Sequence, residues 1–173
     1  MRRIAVIGAG QMGAGIAQVS AQAGMDVLLR DIDLARAEKG KAGIEKRLAR
    51  AVENGKLEQA DAQAALARIT PVVALDDVAG CDLVIEAATE REDIKRAIFA
   101  EVGAVLAPDA ILATNTSSIP ITRLAQAAPD PARFIGVHFF NPVPVMALVE
   151  VIRGLATSPQ TVRAVEAYAQ ELG

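Results

Sequence analysis

IAVIGAGQMGAGIAQVSAQAGMDVLLRD, residues 4–31, decides the fold. A short apolar run, Ile4–Ile7, meets Gly8-Ala9-Gly10-Gln11-Met12-Gly13, a G-x-G-x-x-G pattern. Gln11–Ala23 follows as a helix stopped by Gly24. Val27–Arg30 is a second strand and leads into Asp31, 18 residues after Gly13. Strand, glycine turn, helix, strand and acid, in that order, form a dinucleotide-binding unit. Gly8 permits the tight turn, Gly10 lets a pyrophosphate approach the backbone, and Gly13 lets helix and strand pack closely. The free N–H groups of the turn, those of Ala9, Gln11 and Met12 among them, face the phosphates together with the positive end of the helix. Asp31 accepts hydrogen bonds from the adenosine ribose. Its charge repels a 2′-phosphate, which points to NAD rather than NADP, although Arg30 and Arg36 stand close by.

Beyond Asp31 the chain keeps alternating short apolar runs with helical ones. Leu34–Val52 is a long amphipathic helix, and Leu57–Ile69 is another after the Asn54-Gly55 break. Val72-Val73 and Asp82–Glu86 are strands, Glu90–Leu106 is a helix, Ile111–Thr114 is a strand, and Ile121–Ala127 is a short helix. Phe134–Phe139 and Leu148–Ile152 are strands joined by Asn141-Pro142-Val143-Pro144-Val145-Met146. Ser158 caps a final helix with Pro159 at its first position. The expected fold is α/β, a Rossmann-type doubly wound sheet in one domain over 1–173. The last two strands have no room for a helical crossover between them, so they form an antiparallel pair.

Composition narrows the classes. Hydrophobic residues make up 52% of 173, and mean hydropathy is +0.30. No apolar run approaches the ~18 residues that span a bilayer. The surplus goes into a sheet covered on both faces and into a surface that meets another domain or subunit. Net charge is −3 without a basic tract, which argues against nucleic acid and anionic membranes as partners. The lone cysteine, Cys81, excludes an internal disulfide, and the apolar stretch after the two N-terminal arginines is too short for a signal peptide. A reducing cytoplasm fits best. No metal site is expected.

His138 is the only histidine. It lies near the end of a strand, at the mouth of the sheet where open α/β folds bind ligands. If the last two strands turn near Pro144, Glu150 faces it. An imidazole held by a carboxylate removes a proton from a hydroxyl and returns it in the reverse direction. That complements a nicotinamide, because oxidising an alcohol sends a hydride to NAD and a proton to a base. Thr114-Asn115-Thr116-Ser117-Ser118 caps the 121–127 helix, bonds substrate or nicotinamide, or does both. Asn141 belongs to a rigid turn or reaches the cofactor. Lys95 reads as a solvated helix charge unless the helix start at Glu90 lines the site. Lys39, Lys41, Lys46 and Arg47 give the long helix a basic face, suited to solvent or to a phosphate-bearing substrate.

Four stretches now carry a family resemblance: VIGAGQMGAGIAQVSAQAG at 6–24, DLVIEAATERED at 82–93, ATNTSSIPIT at 113–122 and GVHFFNPVPVMALVEVI at 136–152. Together they make the chain resemble the N-terminal, NAD-binding domain of 3-hydroxyacyl-CoA dehydrogenases, most of all the short bacterial 3-hydroxybutyryl-CoA enzymes. The resemblance implies oxidation of an (S)-3-hydroxyacyl-CoA to the 3-oxoacyl-CoA. It makes His138 the catalytic base, Glu150 its partner, and Ser117 the contact to the 3-oxygen and the nicotinamide. Glu90, Lys95 and Asn141 resemble cofactor contacts. The segment at about 34–69 resembles a helical arm over the CoA, with Lys56 a candidate CoA contact and Arg47 standing where relatives carry serine.

The resemblance also implies a second, all-helical domain after residue 173 that contributes an active-site asparagine and makes a homo-oligomer. The 173 residues are then expected to bind NAD and to turn over poorly alone. Two other readings stay open at this point: a non-catalytic NAD-binding module, and a dehydrogenase of a small free 3-hydroxy acid. The intact His138, Glu150 and Ser117 set argues against the first. The basic helix argues mildly against the second.

Overall fold

The computed structural model describes residues 1–173 and holds one seven-stranded sheet. Its strands are β1 (Arg3–Ile7), β2 (Asp26–Arg30), β3 (Ile69–Val72), β4 (Leu83–Glu86), β5 (Ile111–Thr114), β6 (Phe134–Phe139) and β7 (Val149–Arg153). They run in the order β3-β2-β1-β4-β5-β6-β7, all parallel except the β6–β7 pair. This is the doubly wound Rossmann order extended by one antiparallel strand. The helices are α1 (Gln11–Gln22), α2 (Leu34–Glu53), α3 (Gln59–Ala67), α4 (Glu92–Gly103), α5 (Ile121–Leu124) and α6 (Pro159–Glu171). No helix is long and apolar enough to cross a membrane.

Alternate residues of the central strands enter two separate cores, as the two-residue period of a strand requires. Ile4, Val6, Leu83 and Ile85 join α1, α2, α3 and α6 on one face. Ala5, Ile7, Val84 and Leu112 join α4 and α5 on the other. Much of the sequence's hydrophobicity goes here: β4 and β5 are buried at every position. On the first face a buried hydrogen bond of 2.8 Å between Ser20 and Tyr168 hydroxyls ties α6 to α1, and burial pushes the Tyr168 phenol well above its ordinary pKa. Cys81 is buried, and burial raises its thiol to about 11, which keeps it inert.

Several sequence expectations shift. The edge strand is Ile69–Val72 rather than Val72-Val73, and α3 ends at Ala67. The sequence pattern hid this strand because it contains Pro71, but on the outermost strand the missing N–H removes no ladder bond. Helix α4 begins at Glu92, not at Glu90. Glu92 and Asp93 fill its first turn, where negative charge suits the helix dipole. The 125–127 segment is a tighter 3-10 turn continuing α5. The expected cap on that helix is absent: Pro120 precedes it without any side-chain cap, so the nearby hydroxyls serve elsewhere.

Asp82 closes the start of the sheet. Its Oδ2 accepts the N–H groups of Arg2 and Arg3 at 2.7 and 3.1 Å, which hold its carboxyl below the usual range. Asp82→Asn should therefore lower the melting temperature at neutral pH. A lowered folded-state pKa contributes stability that is full above the unfolded value of about 3.9 and lost as pH falls through the folded one. Melting curves of both proteins against pH should show the gap narrowing below about pH 4. A gap that persists unchanged into stronger acid contradicts this role.

Candidate active site

The crevice opens between β1 and β4, where the strand order reverses and loops on either side diverge. Gly8 has φ +103°, and a side chain there would strike the Ala87 carbonyl oxygen at 2.7 Å. A Cβ on Gly13 would lie 1.7 Å from the Gly8 carbonyl oxygen, so α1 can start this close to β1 only with glycine there. Gly10 is different: nothing lies within 4 Å of its would-be Cβ. The space in front of it is open to a ligand. Helix α1 also has no side-chain cap and no acid in its first turn. The N–H groups at its start, among them those of Gln11 and Met12, are left free for an anion.

Asp31 stands beside this turn and does more than expected. Its Oδ2 accepts the Ala9 N–H at 2.8 Å, and its Oδ1 accepts the Ile32 N–H at 2.7 Å. The acid thus holds the glycine turn in shape. The expectation that Ala9 offers its N–H to phosphate is corrected, because that N–H belongs to Asp31. Two clefts, of about 480 and 670 Å³, share Gly10, Asp31 and Arg36. Arg30 gives its Nε to the Val73 carbonyl at 3.1 Å, and Arg36 faces Asp33. Both arginines flanking Asp31 are therefore engaged with partners other than a 2′-phosphate. This cradle fits the adenosine and pyrophosphate of a dinucleotide.

At the other end of the crevice His138 and Glu150 sit directly opposite each other on β6 and β7, as the sequence spacing predicts. His138 Nδ1 lies 3.3 Å from Glu150 Oε2, and the ring packs on Phe140 with centroids 4.6 Å apart. Engaging Nδ1 leaves Nε2 for proton exchange. The β6–β7 loop is anchored to the cofactor helix. Val143 packs against Gly15, where a Cβ would come within 2.7 Å of the valine, and Gln11 Nε2 donates to Asn141 Oδ1 at 3.0 Å. The turn that grips the cofactor and the hairpin that carries the histidine are thereby held at a fixed spacing.

The hydroxyl-rich loop after β5 is sorted by its bonds. Asn115 Oδ1 accepts the Phe139 N–H at 2.8 Å, which joins the ends of β5 and β6. Thr116 and Ser118 donate to Glu90 Oε2 at 2.9 and 3.2 Å. Thr114 donates to Glu86 Oε2 at 2.7 Å. Ser117 lies between Thr116 and Ser118, exposed, and has no hydrogen-bond partner within the chain. Glu90 thus sits in the loop before α4 and holds the two neighbours of Ser117.

Lys95 is not a solvated charge. It is 1% exposed, 2.5 Å from the fully buried Glu86, and 4.0 Å from Glu90 Oε1. The sequence signal missed here was the acid at the end of the apolar strand Leu-Val-Ile-Glu, which matches Asp31 after β2. Lys56 is not among the residues that line either cleft. It lies past the end of the 20-residue α2, roughly 30 Å of helix away from the Asp33 cap. Of the basic residues on α2, Lys39 and Arg47 line the smaller cleft with Arg36. Arg47 donates to the buried Gln18 at 2.7 Å, and burial lowers its pKa.

The description "3-hydroxyacyl-CoA dehydrogenase, NAD binding domain" belongs to the family pattern that matches residues 3–173. The chain belongs to this family. It is 52% identical over 173 residues to a 3-hydroxybutyryl-CoA dehydrogenase of Bradyrhizobium diazoefficiens, covering 100% of this chain and 59% of that protein. The (S)-3-hydroxybutyryl-CoA dehydrogenase of Ralstonia eutropha superposes with a TM-score of 0.98 at 48% identity, over 100% of this chain and 61% of that one. A 3-hydroxyadipyl-CoA dehydrogenase of Escherichia coli is 48% identical over 162 residues, which span 94% of this chain and 34% of that protein. The chain thus spans about 60% of the length of its 3-hydroxybutyryl-CoA relatives and corresponds to their NAD-binding domain.

Two glycines separate folding from binding. Gly13→Ala should abolish the native fold, as judged by circular dichroism and melting. Gly10→Ala should melt like the wild type yet bind NAD more weakly, measured by calorimetry. Equal stability of both variants would contradict the geometry. Asp31→Ala removes a charged acceptor and should cost roughly ten- to a hundredfold in NAD affinity. Unchanged affinity would remove Asp31 from the site.

Proposed function

We propose that this domain serves the NAD-dependent oxidation of an (S)-3-hydroxyacyl-CoA, with 3-hydroxybutyryl-CoA as the substrate size, to the 3-oxoacyl-CoA, and the reverse reduction. The observation that carries this is His138 paired with Glu150 across β6 and β7, on the same rim of the sheet as the unpartnered Ser117 hydroxyl. A domain that only held NAD would need neither His138 nor Glu150. The names of the relatives at 45–52% identity favour the same substrate class.

In this reading His138 takes the 3-hydroxyl proton at Nε2. Glu150 fixes the ring through Nδ1 and stabilises the imidazolium that forms. Ser117 donates to the 3-oxygen and holds it for the transfer. NAD, when bound, supplies the hydride acceptor. Gly10, Gln11 and Met12 hold its phosphates, Asp31 its adenosine ribose, and Glu90, Asn141 and Ser117 border its nicotinamide end. Lys39 and Arg47, on the cleft beside the turn, offer charge to the phosphates of a CoA substrate.

About two-fifths of the relatives' own length lies outside this match. The 173 residues are expected to bind NAD and to turn over slowly. NADH oxidation by acetoacetyl-CoA, followed at 340 nm and compared with free acetoacetate, tests the reading. Acetoacetyl-CoA should be the better substrate. His138→Ala should lower its turnover about 10²- to 10⁴-fold with NADH affinity nearly unchanged. Turnover that survives the loss of His138 contradicts the assignment.

A further inference from the structure

Glu86 is the most enclosed charge beside the crevice, and the chemistry above leaves it unused. Its carboxylate is fully buried and bonded only to donors. Oε1 accepts the Ala88 N–H at 2.8 Å. Oε2 accepts Thr114 Oγ1 at 2.7 Å and Lys95 Nζ at 2.5 Å. Lys95, equally buried, also reaches Thr114 at 3.3 Å, and its third donor is left for Glu90 at 4.0 Å. Two carboxylates and one ammonium leave the cluster one negative charge. That charge sits on Glu90, the half-exposed member, which grips the residues on both sides of Ser117. Of the neighbouring cations, Arg91 pairs with Asp93, while Arg96 and Arg123 share the single carboxylate of Glu92 and so carry one positive charge beyond it, on the side of α4 that faces α5.

The pyrophosphate lies at the start of α1, and the adenosine extends toward Asp31 after β2. The nicotinamide must therefore extend the other way, toward the ends of β4 and β5 and the loops that carry Glu90 and Ser117. A nicotinamide ring is cationic when oxidised and neutral when reduced, while the rest of the cofactor keeps its charge. A fixed negative charge at this end acts on one redox form only. We propose that the Glu86–Lys95–Glu90 cluster selects the oxidised cofactor over the reduced one. Glu86 acts as a positioning residue: it holds the Lys95 ammonium to itself and so leaves Glu90 uncancelled. Lacking Glu86, Lys95 has only Glu90 to neutralise. The inference rests on the placement of the nicotinamide beside Ser117 and needs no turnover.

Dissociation constants for NAD⁺ and NADH, measured by calorimetry on the 173-residue chain, test it through their ratio. Glu90→Gln and Glu86→Gln each make the cluster neutral. Each should weaken NAD⁺ relative to NADH by about three- to tenfold. A purely structural role would weaken both forms alike, and an unchanged ratio in either folded variant overturns the proposal. Glu90→Gln alters an exposed side chain, so it gives a reading even if Glu86→Gln fails to fold. Ser117→Ala separates the two claims. If it weakens binding while the acid variants leave the ratio unchanged, the charge selection alone fails. If it leaves both affinities unchanged, the nicotinamide placement fails.

Discussion

The fold turns on one backbone contact, the approach of α1 to β1 at Gly13. A single methyl group there would overlap the Gly8 carbonyl oxygen. Because the contact is so close, the start of α1 points straight into the crevice with its N–H groups uncapped. Asp31 reinforces the geometry from β2 through the Ala9 N–H. The same helix then carries the spacing onward. Val143 seats on Gly15, Gln11 reaches Asn141, and the β6–β7 hairpin with His138 and Glu150 comes to rest at a fixed distance from the turn. The glycine turn and the His138–Glu150 pair are thus both tied to one helix.

Much of this was legible in the sequence, because the features concerned are local or set by register. The glycine pattern needs only its flanking strand, helix and acid. The His138–Glu150 pairing needs only a two-residue period and a turn near Pro144. What escaped depended on long-range contacts. Pro71 disguised an edge strand whose partner is β2, more than 40 residues away. Lys95 looks like a surface charge on an amphipathic helix until β4 places Glu86 against it. The hydroxyls after β5 look like a helix cap until the loop before α4 brings Glu90 to them. The sequence around Asp31 points to a ligand and gives no sign of its hold on Ala9.

The buried Glu86–Lys95 pair also shows how stability and function meet at the crevice. Desolvating two charges is costly, and well-packed apolar residues would serve a core at least as well. This pair sits where the ends of β4 and β5 meet α4, beside the loop that presents Ser117. Its position at the rim of the cofactor site, rather than in the centre of either core, is what a functional charge requires.

The central claim is that one crevice holds NAD from Asp31 to Ser117 and presents its reactive end to His138. A crystal structure of the chain with NAD tests it most directly. The account predicts the ribose on Asp31, the pyrophosphate on the N–H groups at the start of α1, and the nicotinamide between Glu90, Ser117 and Asn141 with its reactive face open toward His138. A nicotinamide lying on the α2 side of the glycine turn, away from β5 and β6, would contradict it.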